Sequence, residues 1–154
     1  MKTPRRRRRE AKTDYKSRFN MLKSEKPRLV IRKTNYYIIA QIVESEMAQD
    51  KTTTRASSKE LLQKGWPKEK RGSLKSLQAA YLTGYLLAKK SQAKEVILDI
   101  GLQRNVSGSR VYATLKGAIE GGLKIQHSSK ILPTESRLKD NEKLKDLLKI
   151  KDKL

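Results

Sequence analysis

Apolar and β-branched residues alternate with basic ones through the first half of the chain in a pattern that suits strands. Leu29-Val30-Ile31 and Tyr36-Tyr37-Ile38-Ile39-Ala40-Gln41-Ile42-Val43 are two short runs of the residue types that fit a pleated, half-buried surface. Arg32-Lys33-Thr34-Asn35 between them predicts a tight, basic connection and so a hairpin. Residues 51–56, Lys-Thr-Thr-Thr-Arg-Ala, are polar, β-branched and charged in the manner of an unpaired edge, which makes them a third strand. A short helix is expected from Lys59 to Gln63, stopped by Gly65 and Pro67. Ser73 is the expected cap of a longer helix reaching Lys90, with Leu74, Leu77, Tyr81, Gly84, Tyr85 and Ala88 on one stripe. Glycine in mid-helix costs about 1 kcal/mol against alanine, so Gly84 points to close packing on the sheet. Glu95 to Ile100, with Val96-Ile97-Leu98 at its middle, predicts a buried central strand. A helix from Ser109 to Gly121 should turn Val111, Leu115, Ala118 and Ile119 inward. Leu138, Leu144, Leu147 and Leu148 keep helical spacing among nearly balanced charges, so the tail reads as a surface helix. Three strands, a helix, a strand and a helix describe an α/β layered domain with a mixed sheet.

Charge changes this picture most. The 154 residues hold 37 Lys and Arg against 16 Asp and Glu, a net +21. The first 33 residues carry 14 of those bases and three acids, so half the excess lies in about a fifth of the chain. Arg5-Arg6-Arg7-Arg8-Arg9 opens that segment, and a block of like charges needs an external anion lattice. Guanidiniums add planar forks that bridge phosphate oxygens. Glu10 to Leu22 could become helical, its stripe of Tyr15, Phe19 and Leu22 docking either on the domain or on RNA. The expected organisation is therefore a basic RNA-binding arm over 1–26, an α/β domain over 27–133 and a helical tail over 134–154. A second basic stretch, Lys51 to Lys75, surrounds Trp66, which is either a core anchor or a base-stacking residue.

The same composition excludes much. With no cysteine and a single histidine, His127, there is no disulfide, thiolate site or multi-histidine metal site. No apolar run approaches the ~18–20 residues of a bilayer span, and no apolar segment follows the N-terminal basic run, so a soluble, non-secreted protein is expected. Asp99 stands near a strand end, where Glu95, Glu120 or Glu44 could join it around Mg²⁺ for phosphodiester cleavage. Acids so sparse in so basic a chain are more often ion-pair partners. His127 has serines beside it but no acid, which makes no triad. Residues 101–108 run from glycine to glycine without the Lys-Ser/Thr of a P-loop. Asn105, Ser107, Ser109 and Arg110 could offer N–H groups and a guanidinium to a phosphate, or could simply cap the helix. Tyr15, Tyr36 and Tyr37 are either stacking residues or packing residues. No catalytic residue, metal or cofactor is expected, and the partner class is a polyanion.

Several segments resemble one family. Residues 5–15 (RRRRREAKTDY), 26–35 (KPRLVIRKTN), Gly65-Trp66, 80–84 (AYLTG), 98–102 (LDIGL), 108–111 (GSRV) and 116–123 (KGAIEGGL) resemble the archaeal and eukaryotic large-subunit ribosomal protein L-eighteen, in register from 5 to about 140. The resemblance implies a structural, non-enzymatic ribosomal protein in the cytoplasm. It would bind 5S rRNA and help attach it to large-subunit rRNA in the central protuberance, beside ribosomal protein L-five, without membrane or homo-oligomer. It also implies a three-layer α/β/α domain with a mixed sheet, of the ribonuclease-H-like architecture found in the translational machinery, plus a basic N-terminal extension. By position, Arg5, Arg6, Arg7, Arg8, Arg9, Lys12, Tyr15, Lys16 and Arg18 resemble the extension that threads between rRNA segments. Arg28, Arg32, Lys33 and Asn35 match positions facing 5S RNA. Arg55, Ser57 and Ser58 lie where the third strand and its loop approach RNA, and Gly108, Ser109 and Arg110 match a phosphate-facing helix start. Gln126 replaces a common proline, Thr34 a common serine, and a Lys-Leu-rich tail stands where the family usually continues beyond residue 154. The segment Lys68 to Lys75 is more basic than is typical.

Overall fold

The structure is a computed structural model that describes residues 5–47 and 49–138. Its centre is a four-stranded sheet in the order β3-β2-β1-β4. β1 (Arg28–Lys33) and β2 (Ile38–Glu46) form the expected hairpin, with Leu29 opposite Ile42 and Lys33 opposite Ile38. The connection is Thr34 to Tyr37, two residues later than the basic residues suggested. The Thr34 hydroxyl accepts from the Tyr37 N–H at 3.0 Å and closes the turn. β3 (Gln49–Ser57) is the polar edge strand, antiparallel to β2, with a register shift at Ile42/Val43.

β4 (Ile97–Asp99) runs parallel to β1 at the opposite edge, so the apolar run over 95–100 is not a central strand. Leu98 packs against the core from this edge, while Ile97 and Leu98 stay half-buried. Val96 is buried just before it, where Glu95 and Lys124 make an isolated parallel bridge.

Two helices share one face of the sheet. α3 (Leu77–Lys90) lies over β2 and β3, and α4 (Arg110–Glu120) packs beside it toward β1. Leu29, Ile31, Ile38, Ala40, Ile42 and Ala56 from the sheet, with Leu82, Leu87, Ala113, Leu115 and Ala118 from the helices, form the core. The cap of α3 is Ser76, whose Oγ accepts from the Ala79 N–H at 3.2 Å, not Ser73. Residues 68–73 instead form 3₁₀ turns, and the Ser73 hydroxyl donates back to the Lys70 carbonyl at 2.7 Å. The expected helix after Ser57-Ser58 is also a 3₁₀ segment, Ser58–Leu62, begun by a Ser57/Glu60 capping box. α3 is buried nearly all round because the sheet covers one side and α4 the other. Gly84 makes its close approach to α4 and not to the sheet.

The other face of the sheet carries the N-terminal segment. α1 (Arg6–Arg9) and α2 (Tyr15–Leu22) precede β1, and α2 is capped by the Asp14 carboxylate, which accepts from the Lys16 and Ser17 N–H groups. The helical material on this face comes from the N-terminal segment, while the helices over 27–133 lie on the other. A short helix α5 (Glu135–Leu138) ends the described residues, with Leu138 buried in the core, so the tail begins as a docked segment. Leu144, Leu147 and Leu148 lie outside the described residues.

Candidate nucleic-acid interface

Between α2 and the sheet is a cleft of about 840 Å³ lined by Arg7, Lys12, Arg18, Arg28, Arg32 and Gln103, among others. Its floor is a chain of ion pairs built on one buried guanidinium. Arg28 is 4% exposed; its Nη1 donates to Asp99 Oδ2 at 2.9 Å and its Nη2 to Asp50 Oδ1 at 2.9 Å and Ser45 Oγ at 3.1 Å. Asp99 also accepts from the Gly101 N–H at 2.8 Å and lies 3.5 Å from Arg32 Nη2. Asp50 holds Arg18 of α2 at 2.7 Å through its second oxygen. The arm is therefore latched to the sheet through Asp50, with a second pair from Lys26 to Glu95 at 2.6 Å.

This geometry assigns the acids. Asp99 is an ion-pair partner of Arg28 and Arg32, which is where the nuclease reading ends. Among the described residues no group of three acids or histidines could hold a metal. Burial pushes the Asp50 carboxyl up, but the Ser45 hydrogen bond and the Arg28 and Arg18 guanidiniums outweigh it and hold the group below the ordinary carboxylate range. A carboxyl depressed on folding stabilises above its unfolded value of about 3.9 and loses that contribution as pH falls through the folded value. Asp50→Asn should thus lose less stability between pH 5 and pH 3 than the wild type, read as the shift of the urea midpoint. An equal acid shift in both would show that the latch contributes nothing.

The RNA-facing residues suggested by resemblance divide into two groups. Arg28, Ser57 and Ser58 are inside the protein. The Ser58 hydroxyl accepts from the Ile38 N–H at 3.1 Å, and Ser57 caps the following turn. Their side chains are engaged inside the fold. Arg32 is half-exposed and bonded to the Ile31 and Asp99 carbonyls. Gly108 and Ser109 make no anion cradle either. Their N–H groups already donate to Ile131 at 2.9 Å and Val106 at 3.2 Å, and the Ser109 hydroxyl is buried without a partner. Arg110, next to them, is half-buried.

The free cations lie elsewhere. Arg9, Lys16, Lys33, Lys51, Arg55 and Arg104 are exposed and form no ion pair or side-chain hydrogen bond among the described residues. Arg6 and Lys12 share Glu10, and Arg7 donates to the Thr13 hydroxyl at 2.9 Å. Arg5 lies 5.0 Å from the Tyr15 ring.

Because β1 and β4 are parallel, the 34–37 turn and the loop after Asp99 emerge at the same end of the sheet. Gly101, with φ +59°, sits against the Arg32 guanidinium there, and Gln103 Nε2 donates to the Ile31 carbonyl at 2.6 Å. Lys33, Asn35 and Tyr36 on one segment and Leu102, Arg104 and Val106 on the other are all exposed at this end. Tyr36 is 78% exposed and Leu102 56%. Tyr37 turns inward and packs on the core, as does Trp66, whose Nε1 donates to the Lys70 carbonyl at 3.0 Å. Leu102 and Arg104 carry no signal for RNA in the sequence beyond a polar stretch between two glycines. His127 Nδ1 lies 2.8 Å from the Ile125 carbonyl, in the irregular stretch before the 3₁₀ turn at Ser129–Ile131.

Comparison with known proteins gives the family. A family model described as "Ribosomal large subunit proteins 60S L5, and 50S L18" matches residues 1–95 and 89–128. The large ribosomal subunit protein uL18 of Methanothermobacter thermautotrophicus is 47% identical over 137 residues, 87% of this chain and 69% of that protein. The uL18 of Korarchaeum cryptofilum is 50% identical over 137 residues, 87% of this chain and 68% of its own length. That of Methanoregula boonei is 46% identical over 153 residues, covering 94% and 86%. With a family model spanning most of the chain and archaeal relatives near half identity, the chain belongs to the uL18 family of large ribosomal subunit proteins, which are structural components of the ribosome and not enzymes.

Proposed function

We propose that this protein binds 5S rRNA and helps attach it to large-subunit rRNA in the central protuberance, beside ribosomal protein L-five. As a uL18 protein its place is the large ribosomal subunit, in the cytoplasm. The observation that carries the reading is the end of the sheet where Lys33, Asn35, Tyr36, Leu102 and Arg104 are exposed together. Unpaired cations there can neutralise phosphates, the amide can reach base edges, and an exposed tyrosine can stack on an unpaired base. The arm (Arg5 to Arg9, Lys12, Tyr15, Lys16) supplies a second cationic surface for large-subunit RNA. Arg18 acts differently, by fastening that arm to Asp50. The division into an arm over 1–26, a domain over 27–133 and a tail over 134–154 belongs to the same proposal. So does the ribonuclease-H-like architecture, supported by the antiparallel meander β1-β2-β3 with β4 parallel to β1.

Titration with a 5S rRNA transcript over a salt series tests the reading. Neutralising about 8 phosphates gives a log–log slope of several units. Lys33→Glu and Arg104→Glu should each weaken binding by about tenfold, given the few tenths to ~2 kcal/mol that a charge contact and its reversal carry. The control Lys149→Glu/Lys151→Glu should change it little. Equal losses in all three would mean diffuse attraction to any polyanion, and a salt-insensitive affinity would sink the mechanism.

A further inference from the structure

α2 presents its aromatic residue to solvent. Ser17, Arg18 and Met21 line the cleft against the sheet, and Arg18 is fixed to Asp50. Phe19 therefore points away from the protein and is 59% exposed, so of the two docking surfaces open to its stripe with Tyr15 and Leu22, the domain and RNA, it does not meet the domain. Lys23, one turn on, places its ammonium 4.7 Å from the Phe19 ring centre. Tyr15, one turn back, is half-buried, with the Arg5 guanidinium 5.0 Å from its ring. Residues four apart on a helix are neighbours, so 15, 19 and 23 form one outward row.

A phenyl ring held in water on an ordered helix is a surface for a partner. The charge around it selects which. The helix itself contains Lys16 and Arg18 and no acid, and the five arginines of residues 5–9 precede it. An acidic polymer with aromatic faces matches an aromatic row flanked by cations, because each base can stack while its phosphates meet the bases alongside. A duplex buries its base faces, so the match is to an unpaired nucleotide. We propose that Phe19, flanked by Lys23, is a stacking site for an unpaired base of ribosomal RNA. This rests on the RNA-binding reading above and adds to it a specific residue and ligand. Arg18 is the positioning residue, since its ion pair with Asp50 is what turns Phe19 outward.

The full-length wild type, Phe19→Leu, Phe19→Trp and Lys23→Gln should be titrated with a 5S rRNA transcript and, separately, with a large-subunit rRNA transcript, each over a salt series. For the RNA that supplies the base, Phe19→Leu is expected to bind about tenfold more weakly with an unchanged salt slope, because a stacking contact releases no counterion. Phe19→Trp should bind as tightly as the wild type, and Lys23→Gln should lower both affinity and slope. Ultraviolet cross-linking reads the contact in the wild-type protein, independently of how the variants fold. Trypsin cuts after Arg18 and Lys23, so the adduct should sit on the peptide of residues 19–23. Wild-type affinity of Phe19→Leu for both transcripts, or no adduct on that peptide, overturns the proposal while leaving RNA binding intact. If Phe19→Leu loses a ribosomal protein partner and keeps both RNA affinities, the face is a protein contact and the proposal is likewise wrong. Failure of the wild type to bind either RNA would remove the functional reading itself.

Discussion

Gly84→Ala is expected to destabilise the protein by about 3 kcal/mol, against a helix-propensity gain of about 1 kcal/mol in the other direction. A Cβ at residue 84 would stand 1.9 Å from the Thr114 carbonyl oxygen and 2.8 Å from its carbon. The partner helix mirrors the arrangement, since a Cβ at Gly117 would stand 1.9 Å from the Tyr81 carbonyl oxygen. In both places the obstacle is backbone, so no side-chain rotation relieves it. The helices must separate instead, opening the seam among Leu82, Ala113, Leu115 and Ala118, all of them fully buried. Overpacking therefore outweighs propensity. Urea denaturation followed by far-ultraviolet circular dichroism measures the loss. Gly72→Ala is the control, because nothing lies within 4 Å of its would-be Cβ, and its stability should change by less than about 0.5 kcal/mol. A Gly84→Ala protein as stable as the wild type would show that α3 and α4 are not in backbone contact.

Asp99→Ala should cost about 3–5 kcal/mol, the usual range for removing one partner of a buried ion pair. Arg28 would keep only Asp50 and Ser45, and Asp50 is already shared with Arg18. The Gly101 N–H and the half-exposed Arg32 would lose an acceptor as well. Desolvation of the surviving guanidinium, rather than the lost attraction, sets the size of the effect. Replacing both partners by apolar residues of similar volume, Arg28→Met/Asp99→Leu, should recover most of the stability. The double variant also tests the reassignment of Arg28. If this guanidinium serves the fold alone, the refolded double variant binds the 5S transcript nearly as the wild type does. A large loss of affinity in a stable double variant would return Arg28 to the RNA interface.

The parts of the fold that read correctly from sequence are those governed by neighbours in the chain. The hairpin follows from two neighbouring runs of β-branched and aromatic residues, and the polar edge strand from consecutive threonines flanked by basic residues. The α4 start at Ser109 and the core role of Trp66, weighed against stacking, belong here too. Errors arose where a long-range partner decides. Ser73 and Ser76 are equally good caps locally, and the 3₁₀ path through Gly72 selects the second. Val96-Ile97-Leu98 is as apolar as a central strand yet pairs with β1 at the sheet's edge, a circumstance invisible in the run itself. Gly84 announced close packing, but not against which element. The stripe of Tyr15, Phe19 and Leu22 left docking on the domain or on RNA open, and the pairing of Arg18 with an aspartate 32 residues away turns Phe19 from the domain.

The sequence by itself determined the polyanion partner, the layered α/β class and, through its motifs, the ribosomal family, because net charge, periodicity and short motifs are properties of the chain alone. Tertiary structure decided which basic side chains of the described residues are engaged inside the fold and which stand exposed. Arg28 and Lys33 lie five residues apart on one strand. The first is buried because Asp99, 71 residues on, folds back against it; the second is exposed at the strand's end. A guanidinium's availability depends on the acids that reach it through space, and that distance is not written in the order of residues.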